Sequence, residues 1–372
     1  MKYRHYFLSD LVTIKYGKNQ KKVVSEYGNV PIYGTGGLMG YATDFLYDKP
    51  SVLIGRKGTI SKVKYVEQPF WTVDTLFYTV INTDLVIPKY LYYVMLQLDL
   101  NNYNEGTTIP SLRRETLYNL EFDIPPIDEQ KKIISCLKPL EEKIVNNNEI
   151  NNNLEQQAEA IFQSILSNAI TTVNLGEIAD VKGGKRLPKG VNLIDIPNAH
   201  PYIRVRDLNN ALFASLTPNY AYVDKETQKS ISRYIVSTGD VLISIVGTIG
   251  LTAIVDSTLD KANLTENCVK VTNLKHITPE YLLLYLRSQL GREAIAKGTV
   301  GAVQQKLPIK NIQAIPIPLL SEKDKNALFC TLDSIFAGIS NNVIQSAKLA
   351  SLRDTLLPRL MSGELDVSDI DL

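Results

Sequence analysis

Residues Ile133–Leu154 read IISCLKPLEEKIVNNNEINNNL. Their apolar positions step by alternating fours and threes. Ile133, Leu137, Leu140 and Ile144 come first, then Asn147 and Asn151, then Leu154, continuing to Ala158, Ile161 and Ile165. This spacing is a heptad seam and predicts one long helix. The same steps return 195 residues later at Leu332, Ile335, Ile339, Asn342, Ser346, Leu349, Arg353, Leu356 and Leu360. The polar break returns too, because Asn147 and Asn151 correspond to Asn342 and Ser346. Pro125-Pro126 precedes Asp128, the expected N-cap of the first helix. Pro318 precedes Ser321 with Asp324 three residues on, and Ser362-Gly363 ends the second helix.

A helix of roughly 40 residues spans about 60 Å. Burial, not helix propensity, must hold so long a seam. The two seams are each other's expected partners. One helix leaves the first half of the chain and the other returns from the second half, so antiparallel packing is expected. Asn147 and Asn151 then fall near a pseudo-two-fold axis, where buried polar residues fix register at some cost in stability. A solvated break between two separate bundles is the other reading of the same residues.

The repeat extends beyond the helices. Leu8–Lys18 matches Leu175–Lys185 at an offset of 167. Val52-Leu53-Ile54 and Gly58-Thr59-Ile60 match Val241-Leu242-Ile243 and Gly247-Thr248-Ile249 at 189. Pro88–Leu91 matches Pro279–Leu282 at 191, while Gly106-Thr107 matches Gly298-Thr299 at 192. Anchors kept in order indicate a tandem duplication, with an insertion in the second copy around Asn192 to Tyr222. The segments are residues 1–127, a helical spacer 128–172, residues 173–320, and a distal helix and tail 321–372.

Each globular half opens with a short amphipathic helix, expected over Leu8 to Tyr16 and Leu175 to Val181, ending at Gly17 or Gly183-Gly184. Strand-like runs follow at Ser51–Gly55, Thr75–Ile81, Asp240–Val246 and Cys268–Thr272. Helices follow at Tyr90 to Leu98 and Tyr281 to Leu290. Short strands without a βαβ rhythm place both halves in the α+β class.

The net charge of +1 by itself says nothing of a polyanion. Its distribution says more. Residues 1–127 carry 14 basic and 12 acidic side chains, and 173–320 carry 17 and 12. The two helical segments carry 4 and 7, then 5 and 8. Two mildly basic blocks thus alternate with two acidic ones. Lys18, Lys21 and Lys22 follow the first glycine, and Lys182, Lys185, Arg186 and Lys189 flank the second. Arg56 and Lys57 sit in a glycine-bounded turn. Arg113 and Arg114 follow the Gly106 loop, whose counterpart holds Gln304, Gln305 and Lys306. Arg204 and Arg206 alternate on an expected strand within the insertion. Lys and Arg suit phosphate contact, while Arg and Gln read base edges. Each alone is more often a solvated surface charge, and it is the paired placement in both copies that favours a shared binding surface.

No Walker A, G-x-G-x-x-G or HExxH pattern is present, and His5, His200 and His276 are dispersed. Cys136, Cys268 and Cys330 form no CxxC, which fits a reducing cytoplasm. No charged-then-apolar leader opens the sequence, and no apolar run near 18 residues is expected. Ile124-Pro125-Pro126-Ile127 lacks both the polar and the aromatic residue of a methyltransferase motif. No catalytic residue and no metal site are expected.

The two-copy layout goes with Ile124-Pro125-Pro126-Ile127 and Ile315-Pro316-Ile317-Pro318 at the helix entries. It also goes with the Asp128-Glu129-Gln130-Lys131 start, Gly106–Leu112 (GTTIPSL) and the ending Leu356–Leu365 (LLPRLMSGEL). Together these resemble the specificity subunits of Type I restriction-modification systems. The second copy departs from the pattern at Gly298–Val303 (GTVGAV). The resemblance implies two target recognition domains separated by two long antiparallel helices that form a coiled coil. Each domain would read one half of a bipartite, asymmetric site in double-stranded DNA. The helices would dock two modification subunits that carry S-adenosylmethionine and methylate adenine N6. Restriction subunits using ATP and magnesium would join them, and this chain would bind no cofactor and no membrane. Two other classes stay open on the residues: a coiled-coil adaptor without DNA readout, and a nuclease, for which no metal or nucleophile cluster is visible.

Overall fold

The computed structural model describes residues 3–209, 211–217, 220–302 and 304–367. Val303, which closes the Gly298 run, lies outside the described residues. The chain divides into two units: Met1–Val145 with Ser346–Leu372, and Asn146–Gln345. Two 40-residue helices each contribute one part to each unit.

In the first unit, β1 (Arg4–Phe7) leads into α1 (Leu8–Leu11), β2 (Val12–Tyr16), β3 (Val30–Gly34) and β4 (Gly37–Ala42). Then come β5 (Ser51–Gly55), β6 (Val63–Val66), β7 (Trp71–Thr72), β8 (Leu76–Ile81), α2 (Pro88–Leu96), α3 (Arg114–Tyr118) and β9 (Glu121–Ile124). The long helix α4 (Ile127–Leu166) follows. One sheet has the order β2-β8-β5-β6, a second has β4-β3-β7, and β1 pairs with β9.

The second unit repeats this with β10 (Thr171–Asn174), α5 (Leu175–Ile178), β11 (Asp180–Gly183), β12 (Pro201–Ile203), β13 (Phe213–Ala214) and β14 (Ala221–Tyr222). It continues with α6 (Lys225–Ile231), β15 (Val241–Ser244), β16 (Thr252–Val255), β17 (Asn263–Leu264) and β18 (Cys268–Thr272). Helices α7 (Pro279–Arg287), α8 (Gln289–Gly298) and α9 (Ile309–Gln313), strand β19 (Pro316–Leu319) and helix α10 (Glu322–Met361) complete it. The sheets are β11-β18-β15-β16-β13 and β14-β12-β17, and β10 pairs with β19. Arg4 stands opposite Ile124, as Thr171 stands opposite Leu319. β3 runs parallel to β7, as β12 does to β17. The insertion adds β13 as a fifth strand, parallel to β16.

The opening helices are shorter than expected. α1 and α5 are single turns, each closed by an acid bonding back to the residue before the helix: Asp10 accepts from the Phe7 N–H and Glu177 from the Asn174 N–H. Past Leu11 the chain becomes β2. Val12 and Ile14 are buried while Thr13 and Lys15 are exposed, and the backbone pairs with β8. Alternation over five residues fits either period, and the neighbouring strand decides it.

α4 begins at Ile127, where the Pro126 carbonyl accepts from the Gln130 N–H (3.0 Å). Asp128 is therefore a first-turn residue paired with Lys131, not the N-cap. Ser321 does cap α10, accepting from the Asp324 N–H. The helix seams are shared with the domains. Ile133 and Leu137 of α4 and Leu357 and Leu360 of α10 sit in one core with Leu8, Ile14, Phe77 and Tyr90. Val367 of the tail is buried there too. Leu140, Ile144, Leu349 and Leu356 are half-buried. In the second unit, Leu328, Leu332, Phe336 and Ile339 join Ala158, Phe162 and the α7 core, with Leu154, Ile161, Ile165 and Ile335 packed against it. The Tyr281 ring meets Phe162 at 5.1 Å and Phe329 at 5.8 Å, edge to face. Domain packing therefore supplies partners that a bare helix pair would lack.

Within the second unit the helices run antiparallel. Asn147 meets Gln345, Asn151 meets Asn342, and a side chain added at Gly338 would touch Leu154. α10 also holds an 18-residue window of mean hydropathy 1.3, long and apolar enough to cross a membrane by composition. That value is a window average: Asp333, Ser340, Asn341 and Asn342 interrupt the helix, and no stretch of it approaches 18 consecutive apolar residues, as expected. The helix spends its apolar side on the cores just described.

Candidate nucleic-acid interface

The basic segment after each first glycine is pinned by the same three hydrogen bonds. Gly17 N–H donates to Leu76 O and Gly184 N–H to Cys268 O, each 3.0 Å. Lys18 N–H donates to Thr72 O and Lys185 N–H to Leu264 O, each 2.8 Å. Trp71 Nε1 donates to the Lys18 carbonyl, and the Tyr202 hydroxyl to the Lys185 carbonyl, each 2.9 Å. A Cβ at Gly17 would stand 2.0 Å from Val73 O, and one at Gly184 2.0 Å from Thr265 O. Only glycine lets the backbone come this close. The segments are thus fixed by their main chain, which leaves the side chains of Lys18 and Lys185 exposed.

The turn after the central strand meets the glycine loop in both units. In the first, Leu112 N–H donates to Arg56 O, Gly58 N–H to Pro110 O, and Lys57 bridges Ser111. In the second, Leu307 N–H donates to Ile245 O, and Val246 bridges Lys306. This ladder brings Arg56 and Lys57 together with Arg113 and Arg114. The Arg56 guanidinium lies 4.9 Å and that of Arg114 5.5 Å from the centre of the Tyr16 ring, which joins them to the Lys18 segment. In the second unit the ladder carries Gln304, Gln305 and Lys306, all exposed. Ile245 N–H donates to Asn267 O, next to Glu266, which binds Arg186 (2.8 Å). That hydrogen bond raises the Arg186 pKa above the ordinary guanidinium value.

The lysine of the ladder changes sides between units. Lys57 faces Ser111 in one, while Val246 faces Lys306 in the other. Each ladder keeps one exposed ammonium.

Other expected residues stand apart. Lys21 and Lys22 lie in an exposed turn beyond Lys18, and Lys189 in an exposed loop. Lys182 pairs with Asp180 (2.9 Å), and this hydrogen bond holds the Asp180 carboxyl below its usual range. Arg204 and Arg206 are not on a strand. β12 ends at Ile203, and a 3-10 turn spans Val205–Asp207. Both forks of Arg204 are committed to Asp207, at 2.8 and 2.9 Å, with little exposure. The i, i+3 Arg–Asp spacing was the available signal. Arg206 is exposed, with one 3.9 Å contact to the same carboxylate. Arg113 is exposed and pairs with Glu105 at 2.9 Å. The ring of Tyr16 and the anchors Trp71 and Tyr202 carry no sequence signal beyond being aromatic. Among the described residues no group of three or more His, Cys, Asp or Glu is placed to hold a metal ion.

The family model for the Type I restriction modification DNA specificity domain matches residues 2–156 and again 169–348. The MjaIX specificity subunit of Methanocaldococcus jannaschii is 23% identical over 359 residues, covering 87% of this chain and 80% of that protein. The EcoBI specificity subunit of Escherichia coli is 21% identical over 379 residues, covering 91% and 78%. The crystal structure of an S subunit from M. genitalium shares the fold, with a TM-score of 0.59 and 17% identity over 97% of this chain and 96% of that one. With both halves matched by one family model, the chain belongs to the Type I restriction-modification DNA specificity family.

Proposed function

We propose that this chain is the DNA-reading, non-catalytic subunit of a Type I restriction-modification complex. Each unit reads one half of a bipartite, asymmetric duplex site. The observation that carries this is the twofold occurrence of one device: a basic segment pinned by its backbone beside a loop ladder that presents an exposed lysine. The ladder and anchor residues Lys18, Arg56, Lys57, Arg113, Arg114, Lys185, Arg186 and Lys306 contact phosphates, while Gln304 and Gln305 face base edges.

α4 and α10 act as the spacer, in a pseudo-two-fold arrangement that follows from the duplication, and they dock two modification subunits. S-adenosylmethionine, ATP and magnesium belong to those subunits and to the restriction subunits. Adenine methylation or cleavage is then directed to the site that this chain selects. An inserted heptad in α4 lengthens or abolishes the tolerated gap between half-sites.

The test is base-resolution mapping of N6-methyladenine in a host that expresses the cognate modification subunit with and without this chain. A split motif that appears only with the chain supports the reading. An active modification subunit whose methylated motifs ignore the chain removes it.

A further inference from the structure

Strand β4, at the edge of the β4-β3-β7 sheet in the first unit, shows two apolar side chains to solvent just past the hairpin turn. Leu38 is 53% and Met39 58% exposed. The backbone around them is shaped for this. Gly37 (φ +117°) and Gly40 (φ +151°) flank the pair in conformations that side-chain-bearing residues rarely adopt. The register passes from Ile32↔Gly40 to Tyr33↔Leu38, so Met39 is the bulged, unpaired residue. Bulges re-aim side chains and recur beside functional sites. Met39 keeps its sulfur beside Gly34, 2.3 Å from where a Cβ there would stand, and neither Leu38 nor Met39 belongs to a hydrophobic core cluster.

The surroundings are basic. The Thr35 hydroxyl lies 3.6 Å from where a Cβ on Gly58 would stand, which puts the hairpin turn beside Arg56 and Lys57. On its other side the turn lines a cavity of about 430 Å³ whose charged lining is Lys62, Lys64 and the Lys89–Glu141 ion pair. Among the described residues the second unit shows no such device: the strand equivalent to β4 is the two-residue β14, with Ala221 and Tyr222 buried.

We propose that Leu38 and Met39 form a wedge that enters duplex DNA from the minor groove and unstacks one base step. The inference rests on the DNA-reading function above and adds a mode of readout to it. Leu and Met are residues that proteins insert between base steps, and lysines and arginines to either side hold the flanking phosphates. Flexible pyrimidine–purine steps cost least to open, so the first half-site is selected partly by deformability, the second by contact alone.

The test uses the full chain with its modification subunit and a duplex carrying the methylation-mapped motif, with 2-aminopurine placed at successive steps. Wild-type complex raises 2-aminopurine fluorescence at one step within the first half-site besides the adenine that the modification subunit flips out for methylation. L38S/M39S abolishes that signal and weakens binding by about tenfold, because an unbent duplex no longer wraps onto the flanking lysines and arginines. M39L, which keeps an apolar wedge, retains the signal. A wild-type complex that binds the motif with no fluorescence rise apart from the flipped adenine overturns the wedge and leaves the DNA-reading function standing. Failure to bind any duplex, or absence of a mapped motif, overturns both.

Discussion

Asn147 Nδ2 donates a 2.9 Å hydrogen bond to Gln345 Oε1 across the α4–α10 pair, from a position with no solvent exposure. It also approaches the Asn342 carbonyl at 3.4 Å, while Asn342 Nδ2 donates to Asn151 Oδ1 at 2.9 Å. The polar break in the seam is therefore a cross-helix hydrogen-bond network around one buried amide, Asn147, with Asn151 and Asn342 half-buried and Gln345 exposed. Such a network fixes register, because a slipped pairing would leave amides buried against apolar neighbours.

A carboxylate cannot replace that donor. N147D buries a charge that faces the Gln345 and Asn342 oxygens, and should cost roughly 3 kcal/mol at neutral pH. Burial raises the carboxyl's folded-state pKa above its unfolded value, so the penalty is full above the folded value. It shrinks as pH falls towards the unfolded one. Urea melts of wild type and variant at pH 7 and pH 5 read this. Equal penalties at both pH values would contradict it.

The close approach at Gly17 gives a second expectation. G17A sets a methyl against the Val73 carbonyl, which is backbone and has no rotamer to yield. Stability should fall by roughly 2–3 kcal/mol. Gly36, with nothing within 4 Å of its Cβ position, is the control. G36A should change stability by less than about 0.5 kcal/mol. Thermal melts of both variants distinguish anchoring from general glycine content.

The helices were legible because a heptad pattern over 40 residues overwhelms local noise. The duplication was legible because its anchors keep their order. What the residues could not reveal lies where tertiary partners decide. Val12–Tyr16 is a strand only because β8 lies beside it. Asn147 is buried only because α10 crosses it. Arg56 and Arg114, 58 positions apart, meet over Tyr16 through a loop ladder that no periodicity encodes. Arg204 and Arg206 alternate as they would on a strand, while Asp207 draws the chain into a 3-10 turn instead.

Arg113 and Glu105 make an exposed ion pair, worth about 0–1 kcal/mol to folding. Thr116 donates to the same carboxylate. E105Q should leave the melting transition within a degree or two and tighten DNA binding severalfold at low salt, because a negative charge leaves the surface. R113Q should weaken binding and flatten the log K against log[salt] slope by about one. Fluorescence anisotropy across a salt series reads both slopes. An R113Q slope equal to wild type would place Arg113 off the phosphate path.

The ladder lysine that changes sides supplies the strictest check on a shared interface. Lys57 opposite Ser111 and Val246 opposite Lys306 put one ammonium on each ladder, from opposite strands. If that charge meets a phosphate, its position matters more than which strand carries it. K57V alone should lower affinity and reduce the salt slope by about one. K57V/S111K, which imports the second unit's arrangement, should restore most of the slope. Both substituted sites are exposed or half-exposed, so neither variant should unfold the unit. A double variant as impaired as K57V would mean that the two ladders meet DNA differently, despite their common backbone.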